Sequence, residues 1–181
     1  NTYNMSVEEE KIDGVGIPIH NAGLVLLNSY YLMLLDRLNL IVNEKFNSKE
    51  DQLKAVHYLQ YTVTGMAQTE ESLLSLNKLL CGIPLNEPIT DRIEITVKEE
   101  DLINGLITAA ISYWPAIGDT TVNGFRGNWL VRDGLLREED DRWELIIEKR
   151  AYDVLLIKSP FSFSIIKLPW MVKPLHVTWS F

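Results

Sequence analysis

The spacing of apolar residues changes once along this chain, at Asp133-Gly134, and that change constrains the fold more than any other feature. Before it, apolar side chains recur every three or four residues. Leu24, Leu27, Tyr31, Leu34, Leu35 and Leu38 form one such series, and Leu53, Val56, Leu59 and Tyr61 a second. Leu73, Leu76, Leu79 and Leu80 form a third, and Leu102, Leu106, Ala109, Ala110 and Tyr113 a fourth. This is the period of a helix with one buried face. Beyond Asp133-Gly134 the period is two. Residues 135–138 and Trp143-Glu144-Leu145-Ile146-Ile147-Glu148 predict a hairpin over the acidic tip Glu139-Asp140-Asp141. Residues 163–167 and 175–179 predict the remaining strands. Helices first and strands last predict an α+β fold: an N-terminal helical portion of about five helices, then a small C-terminal antiparallel sheet of about three to four strands.

Local signals set the expected boundaries. Asn21 is expected to cap the first helix, and Asn43 with the pair Asn47-Ser48 to stop it and start the next. Ser48-Lys49-Glu50-Asp51 is a variant of the capping box, and Gly65 closes the helix that follows. Thr69 with Ser72 opens a third helix, which Gly82 and Pro84 end, and residues 84–88 form a rigid connector. Thr96-Val97-Lys98-Glu99 is a complete capping box, and its helix halts at Trp114-Pro115. A shorter helix after Thr121 carries Phe125, Trp129 and Leu130, and residues 151–156 predict one helical turn.

With 181 residues and 46% apolar side chains, the chain can bury one substantial core. Residues 1–20, with the triplet Glu8-Glu9-Glu10, are expected to be a flexible lead-in in which Val15 to Ile19 is short and extended. Residues 21–181 are expected to be a single globular domain. The first residue is not methionine and no basic-then-apolar leader follows, so a fragment of a longer chain is expected. A net charge of −8 opposes nucleic acid and anionic membrane as partners. The most apolar stretch, Leu24 to Val42, is interrupted by Asp36 and Arg37, against a membrane span.

No residue set predicts catalysis, a cofactor or a metal. His20, His57 and His176 lie far apart with no ligand spacing. Cys81 is the one cysteine, which excludes an internal disulfide and a thiolate zinc cage. It sits at a helix end, where the dipole disfavours a thiolate, so structural burial is expected. Asn123-Gly124-Phe125-Arg126-Gly127-Asn128 lacks the ending of a phosphate loop, and its glycines are expected to let a helix pack closely. The hairpin tip has no calcium-loop spacing, and its carboxylates oppose the phosphate contact a winged helix would need. A hydrolase using His57 beside a carboxylate and a nucleophile remains as an enzymatic rival.

From Val154 to Phe181 the chain holds three lysines, one histidine and no acid. Two readings coexist for this tail: core strands with solvated lysines, or a surface on which part of Leu168-Pro169-Trp170-Met171 stays exposed for a partner. Trp170, Met171 and Trp179 are the candidate protein-contact residues, with Arg126 as a buried or interfacial charge anchor.

Several blocks, taken in order, make the chain resemble the contractile injection system tape measure protein family of phage-tail-like particles. They are Asn21-Ala22-Gly23-Leu24-Val25-Leu26-Leu27, Ala55-Val56-His57-Tyr58-Leu59-Gln60-Tyr61 with Thr64-Gly65, and Leu76-Asn77-Lys78-Leu79-Leu80-Cys81-Gly82-Ile83-Pro84. Trp114-Pro115-Ala116, Gly124-Phe125-Arg126-Gly127, Arg150-Ala151-Tyr152-Asp153 and Ile166-Lys167-Leu168-Pro169-Trp170-Met171 complete the series. The chain departs from the expected pattern at Asn28-Ser29-Tyr30 and Ser159-Pro160-Phe161. The resemblance implies a non-enzymatic role in setting tube length and docking to tube, spike or baseplate proteins. It implies a homo-trimer, and assembly in the cytoplasm followed by residence in the particle. An adaptor or assembly chaperone that never enters the particle is the alternative.

Overall fold

The computed structural model describes residues 16–180, so the acidic triplet and most of the expected lead-in lie outside the described residues. Strand β1 (Ile17–Ile19) pairs antiparallel with β4 (Gly134–Glu138), Ile17 opposite Leu136 and Ile19 opposite Gly134. The stretch read as short and extended is an edge strand of the sheet.

The first helical stretch is a 3-10 helix, Ala22–Tyr30, running into the α-helix α1 (Tyr31–Arg37). Ala22 through Leu27 are all buried, because elements pack around this segment on every side rather than along one face. Gly23 makes this possible, since a Cβ there would lie 1.8 Å from the Trp129 carbonyl oxygen. Of the two glycines expected to allow close packing, Gly124 does, since a Cβ there would lie 2.6 Å from Thr120 Oγ1, whereas a Cβ on Gly127 would meet nothing within 4 Å. Asn21 does not cap the helix with its side chain.

Where a simple helix stop was expected, a small hairpin forms from β2 (Ile41–Val42) and β3 (Lys45–Phe46). Its central residues, Asn43 and Glu44, both have positive φ (50° and 63°), the geometry that matches strand twist in two-residue turns. A glycine would have advertised it; Glu44 does not. Helix α2 (Lys49–Thr64) follows, with Ser48 Oγ accepting from the Asp51 N–H at 3.1 Å and Gly65 left-handed at φ 71°. A 3-10 turn (Glu71–Leu73) leads into α3 (Ser75–Leu80), while the Thr69 N–H donates to the Asp91 carbonyl and does not open a helix.

Helix α4 (Val97–Ser112) carries the complete capping box, Thr96 Oγ1 accepting from the Glu99 N–H and Glu99 Oε1 from the Thr96 N–H. Glu99 Oε2 also accepts from the Tyr58 hydroxyl, tying α4 to α2. Helix α5 (Val122–Phe125), capped by Thr121, continues as a π-helical stretch, Arg126–Leu130. Strand β5 (Trp143–Ile147) makes the expected hairpin with β4. The 3-10 segment Ala151–Lys158 and strands β6 (Ile165–Ile166) and β7 (Leu175–Thr178) complete the chain.

The α+β class holds, with two corrections to the sheet. It has five strands in the order β1-β4-β5-β7-β6, and β7 runs parallel to β5, Trp143 opposite Leu175 and Leu145 opposite Val177. Parallel neighbours need a long crossover, and residues 148–174 supply one. One sheet face buries Leu136, Leu145, Leu175 and Ile166 against the helices, while Leu135, Ile146 and Ile165 lie exposed on the other.

Candidate interaction surface

The tail crosses the molecule as a clamp between the helical half and the hairpin. Leu168–Met171 is a tight turn, the Met171 N–H donating to the Leu168 carbonyl at 3.0 Å. It places the Trp170 indole N–H 2.7 Å from the Leu80 carbonyl, at the end of α3. Helix ends leave carbonyls without intrahelical donors, so this indole answers a standing demand. The Trp170 ring also packs on Phe46, centroids 4.5 Å apart, and lies against Gly82, where a Cβ would be 2.7 Å from the Trp170 carbonyl oxygen. Gly82 has φ +73°, so both its backbone and its lack of a side chain are used.

Three of the four contact candidates, Met171, Trp179 and Arg126, are buried within the chain itself. Met171 is turned inward beneath the turn and is 4% exposed. Trp179 is buried against Phe163, and its indole N–H donates to Asp153 Oδ2 at 3.0 Å. Arg126 takes the buried half of its expected role. Its Nε donates to the Thr62 carbonyl at 3.0 Å and its Nη2 to the Tyr61 carbonyl and Asn104 Oδ1, so it satisfies the last turn of α2. A cation at a helix C-terminus is favourable. Burial nevertheless pulls its pKa below the ordinary arginine value. Trp170 is half-buried.

What the tail does expose is Val172, 93% accessible. It stands at the lip of a groove floored by Leu79, Ile83, Met171 and Trp143. Next to it, Lys173 Nζ donates to Glu138 Oε1 at 2.8 Å and to the Glu139 carbonyl at 2.7 Å, which fastens the tail to the acidic hairpin.

The most elaborate polar centre escaped the sequence. Arg132 and Asp153, both fully buried, meet through two hydrogen bonds, and Trp129, Tyr152 and Trp179 surround the guanidinium at 5.2–5.4 Å. Burial alone would raise the Asp153 carboxyl; donors from Arg132, the Arg150 N–H and Trp179 outweigh it and hold the group below the usual range. The one signal was a lone acid inside the otherwise apolar run 151–157. A second centre joins Asn21, Gln60 and Asn77: Asn21 Nδ2 donates to Gln60 Oε1 (2.8 Å) and Asn77 Oδ1 (2.6 Å).

The His57 Nε2–H donates to the Thr90 carbonyl at 2.7 Å, and burial lowers its pKa despite that bond and nearby Asp91. His20 pairs with Asp133 on the surface at 2.7 Å, and His176 lies half-buried on β7. The buried Cys81 thiol is pushed far above its ordinary pKa by burial. Among the described residues no group of three or more His, Cys, Asp or Glu could hold a metal ion, and no helix is long and apolar enough to cross a membrane.

The Asn21–Gln60–Asn77 centre coincides with the blocks that carry the resemblance, and Tyr152 and Asp153 of the other centre close one of them. Asn21, Gln60 and Asn77 come from the first three; Trp170 of the last block binds Leu80 of the third; Trp114 donates to the Leu155 carbonyl, beside the block ending at Asp153. Residues 2–179 match the family described as contractile injection system tape measure protein. The chain belongs to that family. Comparison with curated proteins and with solved structures gave no match. The tape measure family match spans nearly the whole chain, and the blocks within it are where one element is tied to another. Family membership makes the chain part of a contractile injection particle.

Proposed function

We propose that this chain is an assembly and docking module of the particle, acting by surface complementarity without catalysis, and is not itself the length-setting element. The observation that carries this reading is the length of its helices. The longest, α2 and α4, have 16 residues each, or about 24 Å at the rise of an α-helix. Even a wholly helical chain of this length would span only about 270 Å. A ruler lies extended along a tube; here the two ends of the described chain, β1 and β7, are folded into one sheet.

The partners are tube, spike or baseplate proteins, met in the cytoplasm before the module enters the particle, with three copies as the expected stoichiometry. The burial of Met171, Trp179 and Arg126 shifts the contact surface to what remains accessible around the tail, beginning with Val172 and the partly exposed Trp170. Reaching Met171 or Trp179 would require unfolding the tail.

Cells producing Val172→Asp test this. An exposed valine contributes little to stability, so the variant folds; particles are then counted and measured by electron microscopy and their composition read by mass spectrometry. Fewer particles, of normal tube length and with the wild-type chain present in finished ones, support docking. Normal numbers with altered length would make this chain the ruler. Absence of the wild-type chain from purified particles would favour an adaptor or chaperone.

A further inference from the structure

The groove beneath Val172 has features that select a particular kind of partner, if the docking role proposed above is taken as given. Its volume is about 530 Å³ and its floor is apolar, made by Leu79, Ile83, Trp143 and Met171. That is the size and character of a pocket that accepts a large apolar group. One wall is the α3 terminus and the connector at Pro84 and Leu85; the other is the tail at Met171–Lys173. The walls are fixed by the Trp170–Leu80 and Lys173–Glu138 hydrogen bonds, so the groove exists before anything enters it.

Its charge is one-sided. Glu138 lines the groove and begins the hairpin tip, followed by Glu139, Asp140 and Asp141, with Glu144 nearby on β5. Against these five carboxylates stand three cations: Arg142, Lys173 and Arg137, which lies opposite Glu144 across the hairpin. Arg142 is bound to Asp141 and Glu144 and Lys173 to Glu138, while Glu139 and Asp140 have no ion pair among the described residues. Both side chains are exposed. A second copy of this chain, at net charge −8, would be repelled by the same tip.

We propose that the groove receives an apolar side chain of another particle protein, carried on a segment whose adjacent lysines or arginines lie along Glu139 and Asp140. The apolar anchor supplies the buried contact and the charges supply orientation and selection among partners.

The test places a photoreactive benzoylphenylalanine at Val172 in the full chain, and in a parallel strain at Val97, which is also exposed but lies at the start of α4. Particles are irradiated during assembly and cross-linked segments are sequenced by mass spectrometry. Position 172 is expected to mark a segment in which an apolar residue neighbours at least two lysines or arginines. Glu139→Lys with Asp140→Lys, changes confined to the solvated tip, should cut that yield about fivefold. An acidic or neutral segment, a second copy of this chain, or a yield unmoved by the charge reversals overturns the proposal. Silence at 172 with capture of particle proteins at 97 overturns it too, yet leaves the docking role standing; silence at both removes the docking role as well.

Discussion

Arg132 and Asp153 grip each other through two parallel hydrogen bonds, Nη2–Oδ1 at 2.6 Å and Nη1–Oδ2 at 2.8 Å, with neither side chain reaching solvent. The pair joins the end of the π-helical stretch to the 3-10 segment Ala151–Lys158, and Trp179 adds the last strand to the same carboxylate. Removing one partner strands a charge in the core. Asp153→Ala is expected to lower stability by about 3–5 kcal/mol in urea denaturation. Arg132→Met combined with Asp153→Leu should recover much of that loss, because no unpaired charge remains. If Asp153→Ala costs no more than a surface substitution, the pair is not the fastener described.

The same pair predicts an acid response. The folded Asp153 pKa lies below its ordinary value of about 3.9. Its contribution is complete above that ordinary value and fades as pH falls through the lower folded value. The stability gap between wild type and Asp153→Asn should therefore be wide at neutral pH and narrow below about pH 4. A constant gap across urea titrations at the two pH values would remove the carboxylate from the account.

His57 acts in a higher window. Burial keeps it neutral in the folded chain, with its pKa below the ordinary histidine value of about 6.5. The unfolded chain takes up the proton first as the solution is acidified, so wild-type stability should fall as pH drops below about 6.5. His57→Gln can still donate to the Thr90 carbonyl but does not titrate, and its urea midpoint should change less between pH 7 and 5. Parallel slopes for the two proteins would rule His57 out as the source.

Trp170 and Gly82 form a close contact that permits no added atom. Gly82→Ala places a methyl 2.7 Å from the Trp170 carbonyl oxygen at a φ of +73°, and is expected to cost about 1–3 kcal/mol. Joint replacement of Trp170 and Met171 by alanine, which a purely exposed tail would tolerate, should cost at least about 3 kcal/mol through lost packing and the orphaned Leu80 carbonyl. Circular dichroism melting curves decide this: an unshifted midpoint for the double variant would return the turn to the surface.

The capping boxes show how much local structure was readable. Thr96 and Glu99, Ser48, Thr121 and Gly65 all sit where their chemistry predicts, because each satisfies backbone groups within a few residues of itself. Asn21 looks identical at that level but spends its amide on Gln60 and Asn77, 39 and 56 residues away. The two places where the chain departs from the family pattern prove to be neighbours. Asn28 Nδ2 donates to the Ser162 carbonyl at 2.8 Å and the Tyr30 and Phe161 rings lie 6.0 Å apart, so both departures belong to one packing arrangement.

By itself the sequence determined the succession of helical and strand periods, the α+β class, the hairpin over Glu139-Asp140-Asp141 and the structural fate of Cys81, since period and local hydrogen-bonding chemistry act over a few residues. The tertiary structure alone decided that β7 runs parallel to β5, that Ile17–Ile19 completes the far edge of the sheet, and that Met171 and Trp179 turn inward. Alternation states which side chains share a face but not which strand lies alongside or in which direction. An apolar tail meets either its own chain or another protein with the same side chains, and only the positions of Leu80, Gly82 and Asp153 assign most of this tail to its own core and leave Val172 outside.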